Sequence, residues 1–307
     1  MDIAIVSRLG KLEFMAQALS EALPEARFFH WPEPEALSAD IALCWAPEPG
    51  VLARMPNLRL IHSIGAGVDS ILADPHLPPV PICRIRDEGL ARAMADYVLW
   101  SVLYFHRQFD RVIANAGQHI WHRYEQRARE KMRVGIMGLG SIGSEVARVL
   151  SQHGYPVSGW ARSRKDMAGV DVYAGDAELP NFLESANVLV CLLPLTAETE
   201  GILNHRHLSM LPEDASLILC SRGEHLVVED LLELVKSGHM RGAILDVFTS
   251  EPLPACSPLW STPGILVTPH MSGLAKPRDI ASQIAENIAR LERGETPHSV
   301  IDPSVGY

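Results

Sequence analysis

The sequence predicts an α/β chain made of two doubly wound parallel-sheet domains. Three observations predict it. The chain has 307 residues, enough for two domains at roughly 150 residues each. Short apolar runs alternate with helical patterns in two separate series, and they are nearly continuous in Val, Ile and Leu, as parallel strands covered on both faces are. A glycine-rich turn with phosphate-binding spacing lies at the start of the second series.

In the first series, residues 3–6, 27–31, 41–45, 58–63 and 81–85 read as strands, and residues 12–23 as a helix. Between the series, residues 91–120 read as one long helical stretch, with Met94, Val98, Val102 and Phe105 recurring at helical spacing. The second series runs through residues 132–137, 156–160, 188–193, 216–221, 243–248 and 265–268. A last helical pattern, 279–293, stops at Gly294. Two such units joined by long helices predict an interdomain cleft. Ligands of open α/β sheets bind beyond the carboxyl ends of strands, so chemistry is expected there.

Composition narrows the class. Hydrophobic residues make up 47% and charged residues 21%, which excludes a disordered chain. The net charge of −10 argues against nucleic acid or an anionic membrane surface as partner, but leaves room for a local basic pocket. No apolar run approaches the roughly 18 residues of a membrane span. The longest, 95–109, is broken by Asp96, His106, Arg107 and Gln108. The chain opens directly on a strand-like run without a basic leader, so a cytoplasmic location is expected. Cys44, Cys83, Cys191, Cys220 and Cys256 form no CxxC pair, so neither a disulfide scaffold nor a metal site is expected. His205-Arg206-His207 lacks a third ligand nearby and reads as an exposed helix start.

Gly138-Leu139-Gly140-Ser141-Ile142-Gly143 follows a strand and opens a helix. That context turns a weak motif into the dinucleotide fingerprint. Gly138 allows the tight turn, Gly140 lets backbone approach the pyrophosphate, and Gly143 permits close helix–strand packing. The amides that open the helix, at Ser141 and Ile142, then face the diphosphate. At the end of the next strand an acidic residue would bind the ribose of NAD. The chain reads Arg162-Ser163-Arg164 there instead, which suits a 2′-phosphate and predicts NADP(H) as preferred cofactor, with NAD(H) second.

Three further strand ends carry ionisable groups: Arg222, Glu251 in the segment after Asp246, and His270. Together they suit reduction of a 2-oxo acid. Arginine binds the substrate carboxylate in a bidentate fork. Histidine delivers a proton to the carbonyl oxygen, and glutamate keeps that histidine oriented and basic.

The stretches 63–69, 245–254, 257–260 and 268–270 resemble the D-isomer-specific 2-hydroxyacid dehydrogenase family, and are similar to its glyoxylate/hydroxypyruvate reductase A subgroup. The resemblance runs from the first of these to the last, nearly the whole chain. It implies Arg222, Glu251 and His270 as catalytic residues, with amides of Ala66 and Gly67 holding the substrate carboxylate. Asp246 would face the nicotinamide, and the segment with Leu193 and Pro194, together with Ser221, would line the cofactor. The subgroup also implies that Trp45 walls the substrate pocket. A split flavodoxin-like substrate domain, residues 1–97 plus 278–307, would enclose a Rossmann cofactor domain, 98–277, and the enzyme would be a homodimer. Asp96, Cys220 and Val227 depart from residues frequent in the family.

The leading expectation is an NADPH-dependent reductase of glyoxylate and hydroxypyruvate. The alternatives are another 2-hydroxyacid dehydrogenase acting on phosphoglycerate or a bulkier 2-oxo acid, and a non-catalytic NAD(P)-sensing module like the related corepressors. Glu251 in place of glutamine disfavours formate as substrate.

Overall fold

The computed structural model describes all residues except Leu9, Lys11, Leu274 and 304–307. The chain divides into two compact units: Met1–Gly89 with Ala275–Tyr307, and Leu90–Leu274.

The first unit is built on β1 (Asp2–Ser7), β2 (Arg27–His30), β3 (Ile41–Trp45), β4 (Leu60–Ser63) and β5 (Ile82–Cys83). They form one parallel sheet in the order β2-β1-β3-β4-β5, the flavodoxin-like arrangement. Alternation along β1 explains why both faces are covered. Ile3 and Ile5 pack with Met15, Leu19, Ile280 and Ile284, from helices Glu13–Ala22 and Pro277–Glu292. Ala4 and Val6 turn to the other face, against Leu52, Ile61 and Ile71. The strand order reverses between β1 and β3, and Trp45 ends β3 at that point.

The second unit contains β6 (Val134–Met137), β7 (Val157–Ala161), β8 (Val170–Ala174), β9 (Val188–Cys191), β10 (Ala215–Leu219), β11 (Met240–Leu245) and β12 (Ile265–Val267). Their order, β12-β11-β10-β9-β6-β7-β8, is parallel throughout. It is the Rossmann order with one strand added at an edge. Leu189, Leu217 and Leu245 fill the core on one face. Val134, Ile136, Val190 and Ile218 fill the other, together with Val98, Val102 and Phe105 from helix Glu88–His106.

Three expectations are corrected. The stretch expected as one helix is two, Glu88–His106 and Phe109–Gly117, with a break at Gln108, whose φ is 62°. Apolar spacing carries on across the break, so periodicity alone does not show it. The buried Gln108 amide donates to the Glu125 carbonyl, which helps hold this left-handed residue. β8 was not expected at all. It is an edge strand paired only with β7, and its residues are half-buried or exposed, so it lacks the continuous apolar signature. Finally, the units divide at Gly89 and Ala275 rather than near 97 and 278, because Met94 and Ala95 already belong to the core of the second unit. Among the described residues, no helix is long and apolar enough to cross a membrane.

Candidate active site

The strand order of the second unit reverses between β6 and β9, which is where an open α/β sheet leaves a crevice. The glycine turn sits there. Gly138 has φ +100°, and a Cβ on it would come within 2.7 Å of the Leu192 carbonyl oxygen beyond β9. A Cβ on Gly143 would lie 1.9 Å from the carbonyl oxygen of Gly138, so the helix Ser141–Gln152 can start this close to β6 only with glycine there. Gly140 is different: a Cβ there would meet nothing within 4 Å. Open space over Gly140, at the head of a helix whose first residues Ser141 and Ile142 are exposed and half-buried, fits a bound pyrophosphate.

The basic turn after β7 is exposed at Arg162, Ser163 and Arg164, with no carboxylate at the strand end. Arg164 is already engaged. It pairs with Glu178 at 2.5 Å and donates to the Val172 carbonyl at 2.8 Å. Lys165, which sequence reasoning passed over, reaches back to the glycine turn, with its Nζ 2.5 Å from the Leu139 carbonyl oxygen. Its place as the third cation of the run was the available signal.

Arg222, Glu251 and His270 are brought together from the loops after β10, β11 and β12. His270 Nδ1 donates to Glu251 Oε2 at 2.8 Å, and the Phe248 amide donates to Glu251 Oε1 at 2.9 Å. With Nδ1 committed, Nε2 is the nitrogen left for a substrate. Burial pulls the Glu251 pKa up, but the bonds from His270 and Phe248 and the charges of His270 and Arg222 outweigh it and hold it below the ordinary carboxylate value. Arg222 is half-buried, and one arm donates to the Ser221 carbonyl at 2.7 Å. The following Gly223 presses on the Glu251 loop: a Cβ there would lie 2.1 Å from the Phe248 carbonyl carbon.

Several residues expected at the cofactor turn their side chains inward. Asp246 is fully buried. Its carboxylate accepts from the Thr268 hydroxyl (2.5 Å) and from the amides of Met271 (2.9 Å) and Ser272 (2.8 Å), while its carbonyl accepts from the His270 amide (2.9 Å). Those bonds hold His270 at φ +51°, a conformation that costs energy for a residue with a side chain. Leu193 packs in the core and Pro194 is half-buried beside it. The buried Ser221 hydroxyl bonds Cys191 Sγ at 3.3 Å.

In the first unit, the turn after β4 is closed by Ser63, whose hydroxyl donates to the Gly67 carbonyl (2.8 Å) and accepts from the Gly65 amide (3.2 Å). The Trp45 ring lies against Gly65, where a Cβ would approach it within 2.9 Å. Trp45, Ala66 and Gly67 are therefore neighbours. Among the described residues, no hydrogen bond uses the amides of Ala66 or Gly67, which suits an anion.

Residues 99–272 match the family described as D-isomer specific 2-hydroxyacid dehydrogenase, NAD binding domain. The chain belongs to this family. It is 39% identical to a glyoxylate/hydroxypyruvate reductase A of Klebsiella pneumoniae (strain 342), over all of both chains. Among solved structures it is similar to a D-isomer specific 2-hydroxyacid dehydrogenase of Xanthobacter autotrophicus Py2 in complex with NADPH and MES. The TM-score is 0.92 and identity 37%, over 100% of this chain and 99% of that one. It is similar in the same way to an NADPH-dependent glyoxylate/hydroxypyruvate reductase of Sinorhizobium meliloti in complex with NADP and sulfate, with TM-score 0.92 and 34% identity over 100% and 99% of the two chains.

In this 2-hydroxyacid dehydrogenase, two of the departures noted in the sequence have a visible setting. Cys220 is buried next to Ser221, and burial raises its thiol pKa well above the usual range. Val227 precedes helix Val228–Lys236 and gives it no side-chain cap.

Proposed function

We propose that this 2-hydroxyacid dehydrogenase reduces small 2-oxo acids, glyoxylate and hydroxypyruvate first, with NADPH. One observation carries the reading: a histidine bonded to a carboxylate through Nδ1, beside an arginine, in the unit that bears an open dinucleotide turn. The likeness to reductases of glyoxylate and hydroxypyruvate supports the choice of substrate.

Gly138, Gly140, Ser141, Ile142 and Gly143 would hold the pyrophosphate, and Pro194 would line the nicotinamide side. Bound NADPH supplies hydride to the substrate carbonyl carbon. Arg222 binds the substrate carboxylate and polarises the carbonyl; within the first unit, the Ala66 and Gly67 amides offer donors suited to an anion and Trp45 a pocket wall. His270 delivers the proton to the carbonyl oxygen from Nε2, so the substrate gains hydride and proton and becomes a 2-hydroxy acid. Glu251 orients His270 through the bond to Nδ1. Asp246, rather than meeting the cofactor with its side chain, holds the backbone that aims His270.

The NADPH preference rests on charge. Arg162 and Ser163 stand exposed just after β7, and Glu178, the carboxylate that reaches this turn, is paired with Arg164. Arg164, tied to Glu178, braces the turn and has less to offer the phosphate. The enzyme acts as a cytoplasmic homodimer in this reading. Helix Phe109–Gly117 is pinned on one side by the Asp110–Arg241 ion pair, while Phe109, Val112 and Ile113, and beyond it Ile120 and Trp121, are exposed. Such an apolar patch favours a second copy of the chain.

The test is the kcat/KM of the wild-type protein for glyoxylate with each cofactor, read by loss of reduced-nicotinamide absorbance. NADPH should give the higher value, and Arg162→Ala should raise the KM for NADPH while leaving NADH use little changed. A higher value with NADH would overturn the cofactor assignment. No reduction of any 2-oxo acid would overturn the function.

A further inference from the structure

Arg222 and Pro194 follow adjacent strands, β10 and β9, and one buried ring touches the loops that carry both. His225 is fully buried in the turn Gly223–His225. Its Nδ1 lies 3.0 Å from the Arg222 carbonyl oxygen and 3.1 Å from Ser221 Oγ. Its Nε2 lies 3.3 Å from the Pro194 carbonyl oxygen. The backbone adds to the tie, because the Leu203 amide donates to the His225 carbonyl at 2.8 Å.

The chemistry of the ring makes this arrangement unusual. Both carbonyls only accept, so each ring nitrogen faces a group that wants a proton from it. Burial, with the Arg222 charge acting in the same direction, lowers the His225 pKa although the two backbone bonds raise it. A neutral ring carries a single proton. On Nδ1 the proton binds the Arg222 carbonyl; on Nε2 it binds the Pro194 carbonyl. The Ser221 hydroxyl can turn from Cys191 Sγ to donate to Nδ1 when that nitrogen is bare. Each carbonyl keeps a second donor, the Thr199 hydroxyl on Pro194 at 2.7 Å and the His225 amide on Arg222 at 3.3 Å, so the ring proton adds one bond to whichever loop it faces and withholds it from the other.

We infer that His225 is a positioning residue that couples the cofactor-lining loop at Pro194 to the substrate-binding Arg222 through the position of its ring proton. A ligand that fixes one loop biases that proton and so changes the hold on the other, and the coupling is reciprocal. This rests on the reductase reading above.

Two substitutions separate the halves of the coupling. His225→Asn keeps an amide donor where Nδ1 was, and His225→Gln keeps one where Nε2 was. In His225→Asn the KM for NADPH should rise about three- to tenfold, the loss of one buried hydrogen bond, with the KM for glyoxylate near wild type. In His225→Gln the pattern should reverse. A merely structural histidine would raise both constants together in both variants, or neither, and either result overturns the inference. If the variants do not fold, the wild-type protein labelled with ¹⁵N-histidine gives the second reading. Adding NADP⁺, then oxalate as substrate analogue, should shift the two ring nitrogens of His225 in opposite senses, and unmoved signals would overturn the coupling. A wild-type protein inactive on every 2-oxo acid overturns both this inference and the functional reading, whereas active wild type with parallel losses overturns the coupling alone.

Discussion

Glu251 is a half-buried carboxylate whose neighbours keep it charged. Burial opposes the charge, but His270, the Phe248 amide and Arg222 together lower its pKa below the ordinary 4.5. A folded pKa below the unfolded one makes a contribution to stability that is complete above about pH 4.5 and is lost as pH falls through the lower folded value. Glu251→Gln removes that contribution, so its melting temperature should change less than that of wild type on acidification below about pH 4.5, as followed by thermal scans. The same variant should lower kcat for glyoxylate, since the His270 ring loses the carboxylate bond that orients it. An unchanged kcat would mean that Glu251 is not the partner. Much of this was legible in the sequence: Arg222, Glu251 and His270 are ionisable groups just beyond apolar strands, a placement that local pattern reveals. Asp246, Lys165 and His225 were not legible in their roles. What they do depends on atoms that lie up to 31 residues away in the chain, as between His225 and Pro194.

At the scale of elements, the turn between β6 and its helix separates folding from function. Gly143→Ala must push a methyl into the Gly138 carbonyl, so it should lower the melting temperature markedly, with loss of activity following loss of fold. Gly140→Ala has free space and an ordinary φ of −73°. It should therefore keep the melting temperature while raising the KM for NADPH, because the methyl occupies the approach to the pyrophosphate. Equal thermal effects from the two substitutions would contradict the assignment. The strands that build this turn were readable because fully covered strands are nearly unbroken apolar runs. β8 escaped because an edge strand alternates, with Asp171 facing water between Val170 and Val172. The break at Gln108 escaped for another reason: a single left-handed residue whose side chain is bonded to Glu125 leaves no mark on apolar spacing.

Over the whole molecule, the apolar face from Phe109 to Trp121 is only partly covered by the described residues of its own chain, with Trp121 95% exposed. A homodimer would cover it, and Ile113→Asp should then shift the mass seen by light scattering from dimer to monomer. A monomeric wild type would contradict this. The fold brings three loops of one sheet to a common end, where in the proposed mechanism Arg222 would bind, Glu251 orient and His270 deliver a proton. The most direct test of that claim is kcat for glyoxylate in His270→Ala at saturating NADPH, with the NADPH dissociation constant measured alongside. The expected result is a fall in kcat of about 10²–10⁴-fold with cofactor binding unchanged, the usual contribution of general acid catalysis; a near-normal kcat would contradict it.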